Sequence, residues 1–147
     1  IVKKNKDKSL DVIDFGCISA EKFFTTGERL LKTHKEILKL ILTYKPSIIS
    51  IETLFFFKNL KTVMPVSQTR GVILLAAQEK KIPVLEFTPL QMKMAIAGYG
   101  RAEKKQVQEM IKKTVDISRF DMKKNYRKKD DAFDAIGMAI CGCLKNF

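Results

Sequence analysis

Four acidic residues have the types and spacing to do chemistry on phosphate esters. Glu52 closes the apolar run Ser47-Ile48-Ile49-Ser50-Ile51. Asp130, Asp131 and Asp134 gather at the start of an apolar stretch that continues to Leu144. On a helix, Asp131 and Asp134 share a face, and Asp130 stands one turn before Asp134. Close carboxylates repel unless a cation sits among them. All-oxygen ligands in a chain that seeks phosphates suggest Mg²⁺ or Mn²⁺. Glu52 with Asp131 and Asp134 would then be most of a two-metal site for phosphodiester hydrolysis. Each feature also has a plain reading. A strand-end carboxylate can simply face water. Aspartates open many helices as caps, favoured there by the helix dipole by a few tenths to ~1 kcal/mol per charge. Three acids together exceed what capping needs.

Aromatics and a lysine follow Glu52 at once, in Thr53-Leu54-Phe55-Phe56-Phe57-Lys58-Asn59. Phe55 and Lys58 are of the types that stack on bases and hold phosphates. The whole chain carries a formal charge of +12 over 147 residues, with a pI near 9.7. So basic a domain seeks a polyanion, and nucleic acid fits better than a membrane surface. No apolar run approaches the length of a span and no signal peptide is visible. Three cysteines, an odd number, fit reduced thiols in the cytoplasm. Cys141-Gly142-Cys143 lacks zinc-ligand spacing, and His34 is the single histidine.

The elements that must position these residues can be read in order. Residues 1–4 and a strand over Ser9–Ala20 form a hairpin across the Asn5–Lys8 turn. Thr25-Thr26-Gly27-Glu28 resembles a capping box. Leu30, Leu31, His34, Ile37, Leu38, Ile41 and Leu42 then recur at helical spacing, to an end before Pro46. His34 falls in that stripe and reads as a packing residue. The strand ending at Glu52 follows, then a loop over Phe55–Lys61. A helix from about Ser67 to Lys80 turns Val72, Leu75 and Ala76 inward. Ile82–Phe87 is a strand opened by Pro83, and Thr88-Pro89 starts a helix to about Ala97. Gly98-Tyr99-Gly100 breaks it. Arg101–Val115 is a helix with Lys104, Lys105, Lys112 and Lys113 outward. Residues 116–129 read as irregular and basic, and Asp130 starts the last helix. This order predicts one α/β domain over 1–147 with a mixed sheet flanked by helices.

Four stretches, in order, resemble one family. They are Ser50-Ile51-Glu52-Thr53-Leu54-Phe55-Phe56-Phe57-Lys58-Asn59, Gln68-Thr69-Arg70-Gly71-Val72, Ala97-Gly98-Tyr99-Gly100-Arg101-Ala102-Glu103-Lys104-Lys105-Gln106-Val107, and Asp131-Ala132-Phe133-Asp134-Ala135. Together they strongly resemble the RuvC-type Holliday-junction resolvases of bacteria. The resemblance implies an RNase H-like fold, a homodimer, and nicking of opposed strands of a four-way DNA junction with Mg²⁺, as two ions, or with Mn²⁺. It places Glu52, Asp131 and Asp134 among the metal-binding catalytic carboxylates. It places Lys93 and Lys104 by the scissile phosphate and Phe55 on bases at the junction centre. Lys58 and Lys105 join the DNA-binding set, and a branch-migration complex is a further expected partner. Arg70 receives no catalytic role.

The resemblance also implies a departure. The family begins with a strand carrying Gly-Ile-Asp-Pro-Gly, and no such segment occurs here. The chain is therefore expected to be N-terminally incomplete, with Glu52's strand and the first hairpin lacking a shared central partner. A non-catalytic junction-binding module is the alternative reading. The gathered acids speak against it, because they would repel phosphate with no metal between.

Overall fold

The computed structural model describes residues 1–53, 60–117 and 129–145. Short strands alternate with helices: β1 (Val2–Lys4), β2 (Leu10–Val12), α1 (Thr26–Tyr44), β3 (Ile49–Glu52), α2 (Leu60–Glu79), β4 (Val84–Phe87), α3 (Pro89–Ala97), α4 (Lys104–Thr114), β5 (Val115–Asp116) and α5 (Lys129–Leu144). The expected α/β class with a mixed sheet is present. β1 pairs antiparallel with β2 in the register Val2↔Val12, and β2 pairs parallel with β5 through Leu10↔Val115. β3 neighbours β4 in a second sheet, so Glu52's strand and the hairpin share no ladder among the described strands.

The chain divides into two compact units, each with its own logic. One comprises Ile1–Cys17, Ser50–Glu52 and Leu85–Phe147. Its core joins Leu10 and Val12 of β2, Met92 and Ile96 of α3, Val107 and Ile111 of α4, and Phe133, Ile136 and Ile140 of α5. Apolar residues at helical spacing on α5 bury Ala132, Phe133, Ile136 and Ile140 and leave Asp131 exposed. Burying a side chain of this size stabilises by about 1.5–3 kcal/mol. Gly137 lets α5 approach α3 closely, for a Cβ there would lie 3.0 Å from the Met92 sulfur.

The other unit comprises Ile18–Ile49 and Thr53–Val84, with α1 packed on α2. Thr25 caps α1 as the sequence predicts: its hydroxyl accepts the Glu28 N–H, and the Glu28 carboxylate accepts the Thr25 N–H. Lys45 ends the helix in the left-handed region at φ 45°. His34 is half-buried and its Nε2 lies 3.1 Å from Glu79 Oε1, which fits its reading as a packing residue.

Several boundaries differ from the sequence reading, each for a local reason. The strand predicted over Ser9–Ala20 stops at Val12, because the Asp14 side chain accepts the Phe15 N–H and turns the backbone out of the ladder. α2 begins at Leu60 rather than about Ser67, with Pro65 inside it. Pro65 lacks an N–H and lies beyond the first turn, so α2 forgoes one i→i−4 hydrogen bond, to the carbonyl of Lys61. Within α2 the buried stripe is Ala76 and Ala77, while Leu75 stands 54% exposed. α4 is shorter than predicted, because residues 101–103 form a turn before it, in which Ala102 N–H bonds to the Tyr99 carbonyl. β5 falls where the sequence reading ends a helix at Val115 and places irregular chain from Asp116. Only its Val115 is buried, and two residues offer no periodicity to detect. The predicted loop over Phe55–Lys61 and the basic run before Asp130 lie mostly outside the described residues.

Candidate active site

Glu52, Lys93, Lys104, Lys105, Asp131 and Asp134 all belong to the first of these units. Glu52 is the last residue of β3, and Asp131 and Asp134 lie in the first two turns of α5. Lys104 is the first residue of α4, and Lys93 lies on α3. The scaffold explains each position. Glu52 ends a strand, where its side chain leaves the sheet. The buried stripe of α5 fixes which way that helix is rotated, and so presents the acids on its outer edge. Gln106 Oε1 accepts the Glu103 N–H at 2.8 Å, which sets the start of α4 and hence the place of Lys104.

Two contacts define the electrostatics. Burial, and then the negative charge of Asp134, push the Glu52 carboxyl above its ordinary value. Glu52 and Asp134 are therefore close enough to feel each other. Lys104 Nζ lies 3.8 Å from Asp134 Oδ2, with both side chains close to half exposed. An ion pair so open to solvent contributes little to stability, about 0–1 kcal/mol. Its importance is positional, since it keeps a cation beside an acid.

The structure thus brings together Glu52, Asp134 and Lys104, with Asp131 one turn before Asp134 on α5. Among the described residues no group of three His, Cys, Asp or Glu side chains is gathered closely enough to hold a metal ion. Lys93 is half-buried and Lys105 exposed. Phe55 and Lys58 lie outside the described residues, as does the side chain of Asp130. Cys141 is buried and pushed up to about 11 by burial, which keeps it protonated and a poor ligand. The capping pattern Glu103-x-x-Gln106 is one signal that the sequence reading passed over.

Residues 1–142 match the family model described as crossover junction endodeoxyribonuclease RuvC. A curated relative of that name from Fusobacterium nucleatum subsp. nucleatum is 44% identical over 140 residues, which cover 95% of this chain and 70% of the relative. Another, from Caldicellulosiruptor saccharolyticus, is 36% identical over 146 residues, covering 99% and 84%. Two solved structures are similar in fold. "Thermus thermophilus RuvC structure" gives a TM-score of 0.78 at 23% identity, over 96% of this chain and 81% of that one. "T. thermophilus RuvC in complex with Holliday junction substrate" gives 0.81 at 24%, over 95% and 81%. The fold they share with this chain is RNase H-like.

Proposed function

The chain belongs to the RuvC family of crossover junction endodeoxyribonucleases, and from that premise we propose that it is a metal-dependent endonuclease that resolves four-way DNA junctions by paired nicking. The observation that carries the reading is the Glu52–Asp134 approach, with Lys104 held at its side. Two carboxylates at repulsive range, one of them held above its ordinary pKa, form a place that a divalent cation would relieve. The donors are all oxygens, which suits Mg²⁺ or Mn²⁺. Glu52 and Asp134, with Asp131 one turn away, would hold the metal; two ions fit an in-line displacement. When bound, such ions polarise the phosphoryl oxygens and lower the pKa of a bound water.

The chain's own residues do the rest. Glu52 and Asp134 orient by their anchorage in β3 and α5. Lys104 stands where it can turn from Asp134 to the scissile phosphate and offset its charge. Lys93, Lys105 and Lys58 add backbone affinity that weakens with salt, and Phe55 stacks on bases at the junction centre. The 147 residues act as one nuclease domain.

Substrate class is supported by the related Thermus thermophilus protein, whose structure is described as a complex with Holliday junction substrate. Paired nicking needs two sites, so we include a homodimer. Exposed Leu31 and Leu42 on α1 and Leu75 on α2 support a self-association surface. A branch-migration complex is the expected further partner. No helix among the described residues is long and apolar enough to cross a membrane, and the reading places the protein with DNA in the cytoplasm.

The test is cleavage of a labelled four-way junction with and without Mg²⁺, scored for nicks on opposed strands. Paired nicks that vanish with EDTA are expected. Junction binding without nicks at any metal concentration would leave a binding module and end the nuclease reading.

A further inference from the structure

A shallow groove of about 310 Å³ lies where α3 passes into α4, lined by Ala97, Tyr99, Ala102, Gln106, Glu109 and Met110. Its volume is at the lower end for small-molecule sites, enough for one flat ring system. Its walls differ in kind. Ala97, Ala102 and Met110 are apolar. Tyr99 stands 56% exposed just after Gly98, which takes the left-handed region at φ 69°. The tyrosine ring is thus held out by a tight turn and not drawn into the core. Gln106 spends its carbonyl oxygen on the Glu103 N–H, leaving its amide hydrogens as donors. Glu109 contributes an acceptor.

The charges beside the groove decide its occupant. Arg101 and Lys105 stand next in sequence to its lining residues Ala102 and Gln106 and are both exposed. Those cations favour a polyanion alongside. Glu109 inside the groove disfavours a phosphate there. A strand whose phosphates run past Arg101 and Lys105 while one uncharged, flat, hydrogen-bonding group enters the groove satisfies both. We propose that the groove takes an unpaired nucleobase of the bound DNA, stacked on Tyr99 and read at its edge by Gln106 and Glu109. The carboxylate accepts from an amino group, so the groove prefers an amino-bearing base, such as cytosine or adenine, over thymine.

This rests on the nuclease reading, and the experiment separates the two. Four-way junctions carrying 5-iodocytosine, which keeps the amino group that the groove reads, at single positions near the crossover are irradiated with the full chain, and the crosslinked peptide is located by mass spectrometry. A crosslink to Tyr99 is expected. Binding of unmodified junction should weaken about five- to fiftyfold in Tyr99→Ala and stay within about twofold in Tyr99→Phe, because stacking needs the ring and not the hydroxyl. Glu109→Gln should flatten the preference among bases at the crosslinked position, since an amide both donates and accepts. Crosslinks that avoid Tyr99 at every position, or a Tyr99→Ala chain that folds and binds as the parent does, overturn the base groove. If the parent neither nicks nor binds a junction, the nuclease reading fails; if it nicks normally while the groove variants are silent, only the groove fails. Should Tyr99→Ala not fold, the crosslinks on the parent chain decide alone.

Discussion

The two units of this chain bury their apolar residues very differently. The unit that carries Glu52, Lys104, Asp131 and Asp134 encloses a continuous core in which Val12, Ile111, Ile136 and Ile140 are nearly or fully inaccessible. In the α1–α2 unit the buried apolar residues, among those described, are Ile41, Ala76 and Ala77, while Leu31, Leu42, Met64, Val66 and Leu75 face solvent. The difference follows from what each must hold. Carboxylates placed near one another gain energy by moving apart, so the elements beneath them must resist. A dry, well-filled core does so, because its helices cannot rotate without opening voids. The helical pair carries no such burden among its described residues, and its exposed leucines leave a surface for another body.

The largest effect should come from removing core under the acids. Ile140→Ala, fully buried on α5, should cost about 2–5 kcal/mol in a urea melt. Leu75→Ala on α2, 54% exposed, should stay within about 0.5 kcal/mol. Comparable losses would erase the contrast between the units.

Glu52→Gln should lower metal-dependent nicking by about 10²–10³-fold while junction binding is kept. The same change sharpens the comparison through stability. The folded pKa of Glu52 is raised, so the folded chain holds the proton more tightly than the unfolded one. Its contribution disfavours folding once pH passes the ordinary carboxylate range, and the penalty disappears on acidification. Glu52→Gln should therefore melt slightly higher than the parent at neutral pH, and the gap should close toward acid pH. A variant that melts lower at neutral pH would mean Glu52 is structural.

A smaller effect is expected at Lys104. Its ammonium competes with any cation for Asp134. Lys104→Met should tighten Mn²⁺ binding a fewfold by electron paramagnetic resonance titration, while slowing nicking. Weaker Mn²⁺ binding would show that Lys104 organises the acids and does not compete there. In the α1–α2 unit, Thr25→Ala removes the hydroxyl that accepts the Glu28 N–H while the backbone N–H of residue 25 still donates to the Glu28 carboxylate, and should cost about 0.5–1 kcal/mol.

Much of this was legible in the chain itself. Glu52 follows a β-branched run and ends it, and Thr25-x-x-Glu28 and Thr88-x-x-Gln91 are complete caps in sequence and in structure. These features rest on neighbouring residues, so local physics decides them. The acids were likewise visible as a cluster on α5, because three-residue spacing puts Asp131 and Asp134 on one face.

What needed the tertiary structure was everything set by long-range packing. No local pattern announces that Val115 pairs with Leu10, since a two-residue strand is created by its partner. The rotation of α2 that buries Ala76 and Ala77 instead of Leu75 depends on what packs against that face. The sequence by itself determined which residues could do chemistry and on which kind of element each stands. Only the fold decided that Glu52 comes within electrostatic range of Asp134, far later in the chain, with Lys104 beside that aspartate. Charges distant in sequence acquire their energies only from the separation and burial that packing imposes.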